Sequence, residues 1–285
     1  MVDWTVDIWG DAKANPSSAR STSSLIVADG MIVIRTNNLG GYPYACKIWT
    51  WNATTGQLIC EGPDLGYYSG APENLAYFDG KVFIHSDDMH VYAIDVYTGK
   101  LAWASEQEYA PLAAFGRYGG LTVAYGYVYS GSWDGYLRCL DAKTGKTVWK
   151  YFCGNSSETG MGVYVPFGLT AVADGKVYQV TGEHTPPNPE PMGNKLYCLD
   201  AYTGKLIWSY PFMCVGSASQ GAGISSGMYW CNNEYDGCLY MFGKGQTETT
   251  VSVGPKTIAN GASVLIEGTV TDQSSGSKDT PAISD

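Results

Sequence analysis

An eleven-residue phrase recurs along this chain: Ala93-Ile94-Asp95-Val96-Tyr97-Thr98-Gly99-Lys100-Leu101-Ala102-Trp103, then Cys139-Leu140-Asp141-Ala142-Lys143-Thr144-Gly145-Lys146-Thr147-Val148-Trp149. It returns as Cys198-Leu199-Asp200-Ala201-Tyr202-Thr203-Gly204-Lys205-Leu206-Ile207-Trp208, and a degraded copy, Thr50-Trp51-Asn52-Ala53-Thr54-Thr55-Gly56-Gln57-Leu58-Ile59-Cys60, precedes all three. Gly56, Gly99, Gly145 and Gly204 fall 43, 46 and 59 residues apart. Repeats of this period are stacked supersecondary units, none of which buries its apolar face alone.

Each copy follows a second regular element. Asp29-Gly30, Asp79-Gly80, Tyr125-Gly126 and Asp174-Gly175 each lead into a β-branched and aromatic run, the signature of a tight hairpin. A fifth unit, Ser226-Gly227-Met228-Tyr229-Trp230-Cys231 and then Asp236-Gly237-Cys238-Leu239-Tyr240-Met241-Phe242, lacks both the Thr-Gly-Lys and the Trp. Each unit therefore reads as four antiparallel strands, and four-stranded units of about 45 residues are blades of a β-propeller. The 36 glycines and the 13% aromatic content fit many short strands joined by tight turns. In the repeated phrase Asp95, Asp141 and Asp200 are expected to accept backbone N–H bonds across the turn, with Gly99, Gly145 and Gly204 in the left-handed conformation. Trp103, Trp149 and Trp208 are expected to lie flat between neighbouring blades, each using its N–H as a donor.

The pattern Ala/Cys-x-Asp-x-x-Thr-Gly-Lys-x-x-Trp resembles the tryptophan-docking motif of the pyrroloquinoline quinone (PQQ)-type propeller repeat. That family includes quinoprotein dehydrogenases and many cofactor-free binding and scaffold propellers, among them an outer-membrane assembly lipoprotein. The resemblance covers about residues 2–245 and fades in the first and last blades, where Cys60 replaces Trp and the last turn is Gly243-Lys244-Gly245. It implies an all-β propeller with about five visible blades. Residues 2–9 read as an outer strand with Trp4 at the docking position, either completing the fifth blade or belonging to a longer ring of which this is a fragment; the second is favoured. The propeller is assigned to residues 1–245. Residues 246–285, free of Trp, Tyr and Cys, resemble the opening strands of a surface Ig-like module and end in a mobile tail.

The formal net charge of −10 argues against a nucleic-acid partner, whose phosphates demand a basic footprint. No apolar run approaches the length of a bilayer span. Eight cysteines without a C-x-x-C pair, and the sequons Asn52-Ala53-Thr54 and Asn155-Ser156-Ser157, point to an extracellular or cell-surface setting, with the signal expected upstream or already removed. Cys231 and Cys238 flank residues 232–237 and are the best disulfide candidate across a hairpin, with free packed thiols as the competing account.

Chemistry is sought in the loops after each second strand. Metal-ligating candidates are His85, Asp87, Asp88 and His90, with Glu183 and His184 two blades on, though no known ligand spacing is matched and exposed loop histidines account for them better. Binding-loop candidates are Trp133 and Asp134, Asn232 and Glu234, and Pro186, Pro187 and Asn188. The last three lie in the proline-rich insertion 183–194 that produces the 59-residue spacing. Carboxylates and amides there suit Ca²⁺, and Trp133 could stack on a planar ring, but blade-end turns favour Asp and Asn in any case. Gly223-Ile224-Ser225-Ser226-Gly227 matches a nucleophile elbow but sits where the preceding blade has a hairpin, so it is read as accidental.

The reading favoured from sequence is a non-catalytic propeller that binds a protein, glycan or small ligand on one face, with no catalytic residue and no cofactor. The alternative is a quinoprotein oxidoreductase that uses PQQ and Ca²⁺.

Overall fold

The computed structural model describes residues 4–6, 20–38, 44–63, 65–68, 75–86, 88–108, 121–157, 162–183, 193, 195–215, 222–243 and 245–273. Among them there is no helix, and hence none long and apolar enough to cross a membrane. The chain divides into two compact units, one of residues 1–223 and 231–240, the other of residues 224–230 and 241–285.

Four sheets follow the repeat. Blade 1 is Arg20–Ala28, Met31–Asn38, Tyr44–Asn52 and Leu58–Glu61, with Leu65–Tyr68 pairing back on the third strand. Blade 2 is Ala76–Phe78, Lys81–His85, Val91–Asp95 and Leu101–Ala104. Blade 3 is Leu121–Ala124, Tyr127–Gly131, Tyr136–Asp141 and Thr147–Phe152. Blade 4 is Pro166–Ala173, Lys176–Glu183, Lys195–Asp200 and Leu206–Pro211, and Cys214–Val215 adds a short parallel pairing to its second strand. A fifth sheet has three described strands, Ala222–Ser225, Met228–Asn233 and Cys238–Gly243. The Gly-x-Ser-x-Gly match falls on its first hairpin, where Ser226 turns at φ 52°, so the sequence reading of an accident agrees with the backbone.

Each four-stranded sheet is an antiparallel meander. The first and third turns therefore lie at one end of a blade, here the turn end. The loop between second and third strands, and the exit from the fourth, lie at the other, the loop end. At the turn end Asp29, Asp79, Tyr125 and Asp174 take φ of 48°, 49°, 54° and 49°, each followed by a left-handed glycine, which matches the twist of a two-residue hairpin. In the third turn the Asp141 carboxylate accepts the N–H groups of Lys143 and Thr144 at 3.1 and 2.8 Å, and the Thr144 hydroxyl at 2.8 Å. Asp200 and Asp95 repeat the arrangement, and in blade 1 Asn52 Oδ1 accepts from Thr54 and Thr55, both at 2.9 Å.

The tryptophans dock forward. Trp103 Nε1 donates to the Ala142 carbonyl of blade 3 at 3.1 Å, and Trp149 Nε1 to the Ala201 carbonyl of blade 4 at 3.0 Å. Their rings lie on the turn glycines so closely that a Cβ on Gly145 would stand 2.5 Å from Trp103, and one on Gly204 2.6 Å from Trp149. A register shift one residue past the Trp partner recurs in blades 2, 3 and 4, at Ala93/Ile94, Cys139/Leu140 and Cys198/Leu199. Such a bulge sharpens local twist and re-aims side chains. Trp4 makes the same contact with blade 1, its Nε1 donating to the Ala53 carbonyl at 3.0 Å. Trp208 is half-buried and packs on Tyr178, ring centroids 6.0 Å apart.

The core lies between blades. Met31, Val33 and Ile48 meet Val82, Ile84 and Ile94 at the first junction. Phe83, Val91, Ala93 and Trp103 meet Leu121, Val128 and Leu140 at the second. Tyr129, Leu137, Cys139 and Trp149 meet Val177, Leu199 and Ala201 at the third. Burial pushes the Cys139 thiol up to about 12, so it behaves as a small packed hydrophobe.

Beyond the fifth sheet Thr247–Gly254 pairs with Leu265–Asp272 in a two-stranded hairpin. Its register puts Val251, Val253, Ile266 and Val270 on one face, and Glu248, Ser252, Glu267 and the bonded Thr250–Thr269 pair on the other.

The disulfide expectation is corrected. Cys231 and Cys238 are not joined in a disulfide. Cys231 is fully buried while Cys238 is exposed beside the turn, its Sγ 3.6 Å from the Asp236 carbonyl, so the two do not face each other across the hairpin.

Candidate loop-end site between blades 2 and 3

A group of polar side chains converges at the loop end, where blade 2 meets blade 3. The second strand of blade 2 ends in His85, and its counterpart in blade 3 carries Ser130, which pairs across the sheet with Arg138. His85 Nε2 is bonded to the Ser130 hydroxyl, and both side chains are buried. Arg138 forks onto Asp134, with Nη1 donating to Oδ1 at 2.9 Å and Nη2 to Oδ2. Nη1 also stands 3.6 Å from Glu108 Oε2, on the segment that follows the fourth strand of blade 2, which brings a second blade into the cluster. These neighbouring carboxylates hold the guanidinium above its ordinary pKa despite a burial that works the other way. The Tyr136 ring lies beneath Arg138 at 5.2 Å and Lys150 at 4.9 Å.

Ser132 closes the group. Its N–H donates to the Tyr136 carbonyl at 3.0 Å, which extends the ladder by one step and keeps its side chain on the Ser130 and Arg138 face. Its hydroxyl is buried without a hydrogen-bond partner among the described residues. Chemically the cluster holds one guanidinium against two carboxylates, and so presents no surplus positive charge.

The candidates from sequence distribute unevenly. His85 belongs to this cluster. Asp88 instead holds its own loop, accepting the Tyr92 hydroxyl at 2.5 Å and the His90 N–H at 3.2 Å, with His90 Nδ1 at 3.4 Å. Asp134 is the carboxylate of the Arg138 fork, and Trp133 beside it is half-buried. Asn232, near the end of the strand Met228–Asn233, and Glu234, in the turn that follows it, are exposed, and the Glu234 N–H donates to the Met213 carbonyl at 2.9 Å. Asp87, His184, Pro186, Pro187 and Asn188 lie outside the described residues, as does the side chain of Glu183. Arg138, Glu108, Ser130 and Ser132 were not singled out from sequence. The available signal was Arg138 itself, a charge in a third strand where blades 2 and 4 carry Tyr92 and Tyr197.

No group of three or more His, Cys, Asp or Glu side chains gathers at one point among the described residues. A tricarboxylate quinone needs free cations and a hard metal needs converging oxygens. Arg138 is already engaged by two carboxylates, so this cluster by itself does not fit PQQ with Ca²⁺.

Tryptophan-docked, four-stranded blades define a β-propeller of the PQQ-type repeat. The chain belongs to that family: its model, described as outer membrane protein assembly factor BamB, matches residues 4–185 and 133–222. The chain is 34% identical over 110 residues to the 1-butanol dehydrogenase (quinone) of Thauera butanivorans, across 37% of this chain and 16% of that protein. It therefore spans less than a fifth of that relative's length. BamB from Moraxella catarrhalis superposes with a TM-score of 0.54 at 16% identity, over 88% of this chain and 71% of that one. The quinohemoprotein alcohol dehydrogenase of Comamonas testosteroni gives 0.54 at 16% identity, over 80% and 43%. These two likenesses show the fold.

The relatives correct the favoured reading from sequence. A non-catalytic binding module gives way to the oxidoreductase alternative, because the curated relatives are named as quinone-linked alcohol dehydrogenases.

Proposed function

We propose that this chain is part of a quinoprotein oxidoreductase that oxidises an alcohol, with PQQ as its electron acceptor and Ca²⁺ as the metal. The observation that carries the reading is the identity of 34% over 110 residues to a quinone-linked butanol dehydrogenase. When bound, PQQ would supply the two-electron acceptor. The share of this chain's described residues is the wall between blades 2 and 3, where Glu108, Arg138 and Asp134 fix the exit of one blade against the next. On this reading the cofactor ligands are sought among the candidates read from sequence, Asp87, Glu183 and His184. An extracytoplasmic setting accords with the family's description as an outer membrane assembly factor.

The test is dye-linked oxidation of primary alcohols by the protein with added PQQ and Ca²⁺. Turnover that needs protein, quinone and metal together supports the reading. Rates equal to the protein-free control contradict it.

A further inference from the structure

Blades 3 and 4 carry a hydroxyl at the same step of the second strand, and the two are treated differently. Ser132 in blade 3 corresponds to Thr181 in blade 4, as Tyr136 does to Lys195 and Arg138 to Tyr197. The Thr181 hydroxyl donates to the Lys195 carbonyl and accepts the Lys195 N–H, both at 3.1 Å. In blade 3 the Tyr136 N–H goes instead to Asp134 Oδ1 at 3.1 Å, and the Tyr136 carbonyl accepts the Ser132 N–H at 3.0 Å. The Ser132 hydroxyl, in a residue only 1% exposed, has no hydrogen-bond partner among the described residues. A hydroxyl so placed costs its full desolvation unless a further group bonds to it.

A second gap lies on the same face, across the junction. Between blades 3 and 4 the Tyr197 hydroxyl reaches the segment leaving blade 3 directly, donating to the Cys153 carbonyl at 2.6 Å. Its counterpart Arg138 stops short, with Nη1 3.6 Å from Glu108 Oε2, too far for a direct bond. Nη1 carries two N–H groups, and Asp134 Oδ1 takes one of them. A donor and an acceptor held this far apart in a buried place are spanned by a bridging molecule.

Charge and space select the occupant. Arg138 faces Asp134 and Glu108, so the cluster has no surplus positive charge for an anion, and the guanidinium opposes a metal cation. Ser130 is 0% and Glu108 7% exposed. Leu121, which pairs with Ser130, and Met89, whose carbonyl accepts the Glu108 N–H, are buried as well. This closed setting suits a single small hydroxylic molecule.

We propose that one water molecule is bound inside the blade 2–blade 3 junction. It accepts the second Nη1–H of Arg138, donates to Glu108 Oε2 and bonds to the Ser132 hydroxyl, and three partners are the usual complement of a buried water. The water does for Arg138 what direct contact does for Tyr197, tying a third strand to the segment that leaves the preceding blade. This inference does not depend on the oxidoreductase reading.

A crystal structure of the full chain, at a resolution that shows ordered water, is the direct test. The expected result is one compact peak about 2.5–3.2 Å from Ser132 Oγ, Arg138 Nη1 and Glu108 Oε2. An empty position overturns the proposal. So does a peak that misses Arg138 and Glu108, or an elongated one that marks a larger molecule. Urea unfolding of Ser132→Ala supplies a second reading. A hydroxyl tied into the junction by water predicts a midpoint lower by about 0.3 M or more at constant m-value. A hydroxyl bonded to nothing predicts an unchanged or higher midpoint, and that result overturns the proposal.

Discussion

The Cys60 thiol donates to the Val96 carbonyl at 2.9 Å. Val96 follows the turn Asp95, so this is the carbonyl position that Trp103 reaches at Ala142, Trp149 at Ala201 and Trp4 at Ala53. Blade 1 thus keeps the docking bond with a side chain a fraction of the size. Burial raises the Cys60 pKa, which keeps the sulfur protonated as a donor. The ring's other role, covering the turn glycine, passes to backbone: a Cβ on Gly99 would run into the Glu61 carbonyl.

Deleting the docking ring is therefore expected to cost more than deleting the thiol. Trp149→Ala should lose about 3–5 kcal/mol, the range for a large aromatic truncated in a core. Trp149→Phe keeps most of the area and should lose about 1–2 kcal/mol, part of it the bond to Ala201. Cys60→Ala should lose about 1 kcal/mol. Urea unfolding midpoints at constant m-value rank the three, and an equal loss for Cys60→Ala and Trp149→Ala would undo the comparison.

Turn glycines are expected to fall into two groups. Gly145 and Gly204 combine φ of 72° and 68° with a tryptophan ring where a Cβ would go, whereas Gly126 has φ 78° and open space. Gly126→Ala should cost about 1 kcal/mol, from the left-handed backbone alone. Gly204→Ala should cost at least twice that, about 2–4 kcal/mol, because the ring must move. Thermal unfolding of the two variants side by side reads the difference.

Arg138→Met should destabilise the blade 2–blade 3 junction by about 3–5 kcal/mol, since it leaves Glu108 and Asp134 without their shared cation in a largely buried place. The triple change Arg138→Met, Glu108→Gln, Asp134→Asn should recover most of the loss. Failure of the triple variant to recover would mean that packing over Tyr136, not charge, is what Arg138 supplies.

Acid should loosen the third turns. Hydrogen bonding from Thr144 to Asp141, and from Thr203 to Asp200, lowers both carboxyl pKa values below that of the unfolded chain. Their stabilisation is thus complete above the unfolded value of about 3.9 and is lost as pH falls through the folded one. Asn52 already performs the same turn without a charge, so Asp141→Asn should keep the turn and flatten the acid limb of the stability profile. Denaturation midpoints between about pH 2 and 6 check this, and an unchanged acid slope would contradict it.

The blades were legible because each of their determinants is local. Asp141, Gly145 and Trp149 lie within nine residues, and turn, left-handed glycine and docking indole each follow from residue type at fixed offset. The forward direction of docking shows in the Gly204–Trp149 contact and nowhere in the sequence spacing. The loop-end cluster was not legible. Glu108 and Arg138 belong to different blades and meet only when the sheets stack, and Ser130 reads in sequence as one more small strand residue. Cys231 and Cys238 misled for a related reason: closeness along a hairpin says nothing of which face each side chain takes, and one is buried while the other is not. The favoured function failed because the docking motif is structural in every residue, so the activity had to come from relatives.

Calorimetric titration of PQQ into the protein, with Ca²⁺ and then with chelator, tests the central claim most directly. A quinoprotein oxidoreductase predicts saturable binding at one quinone per chain that weakens by an order of magnitude or more when the metal is withdrawn. Heats no larger than dilution in both titrations would contradict it.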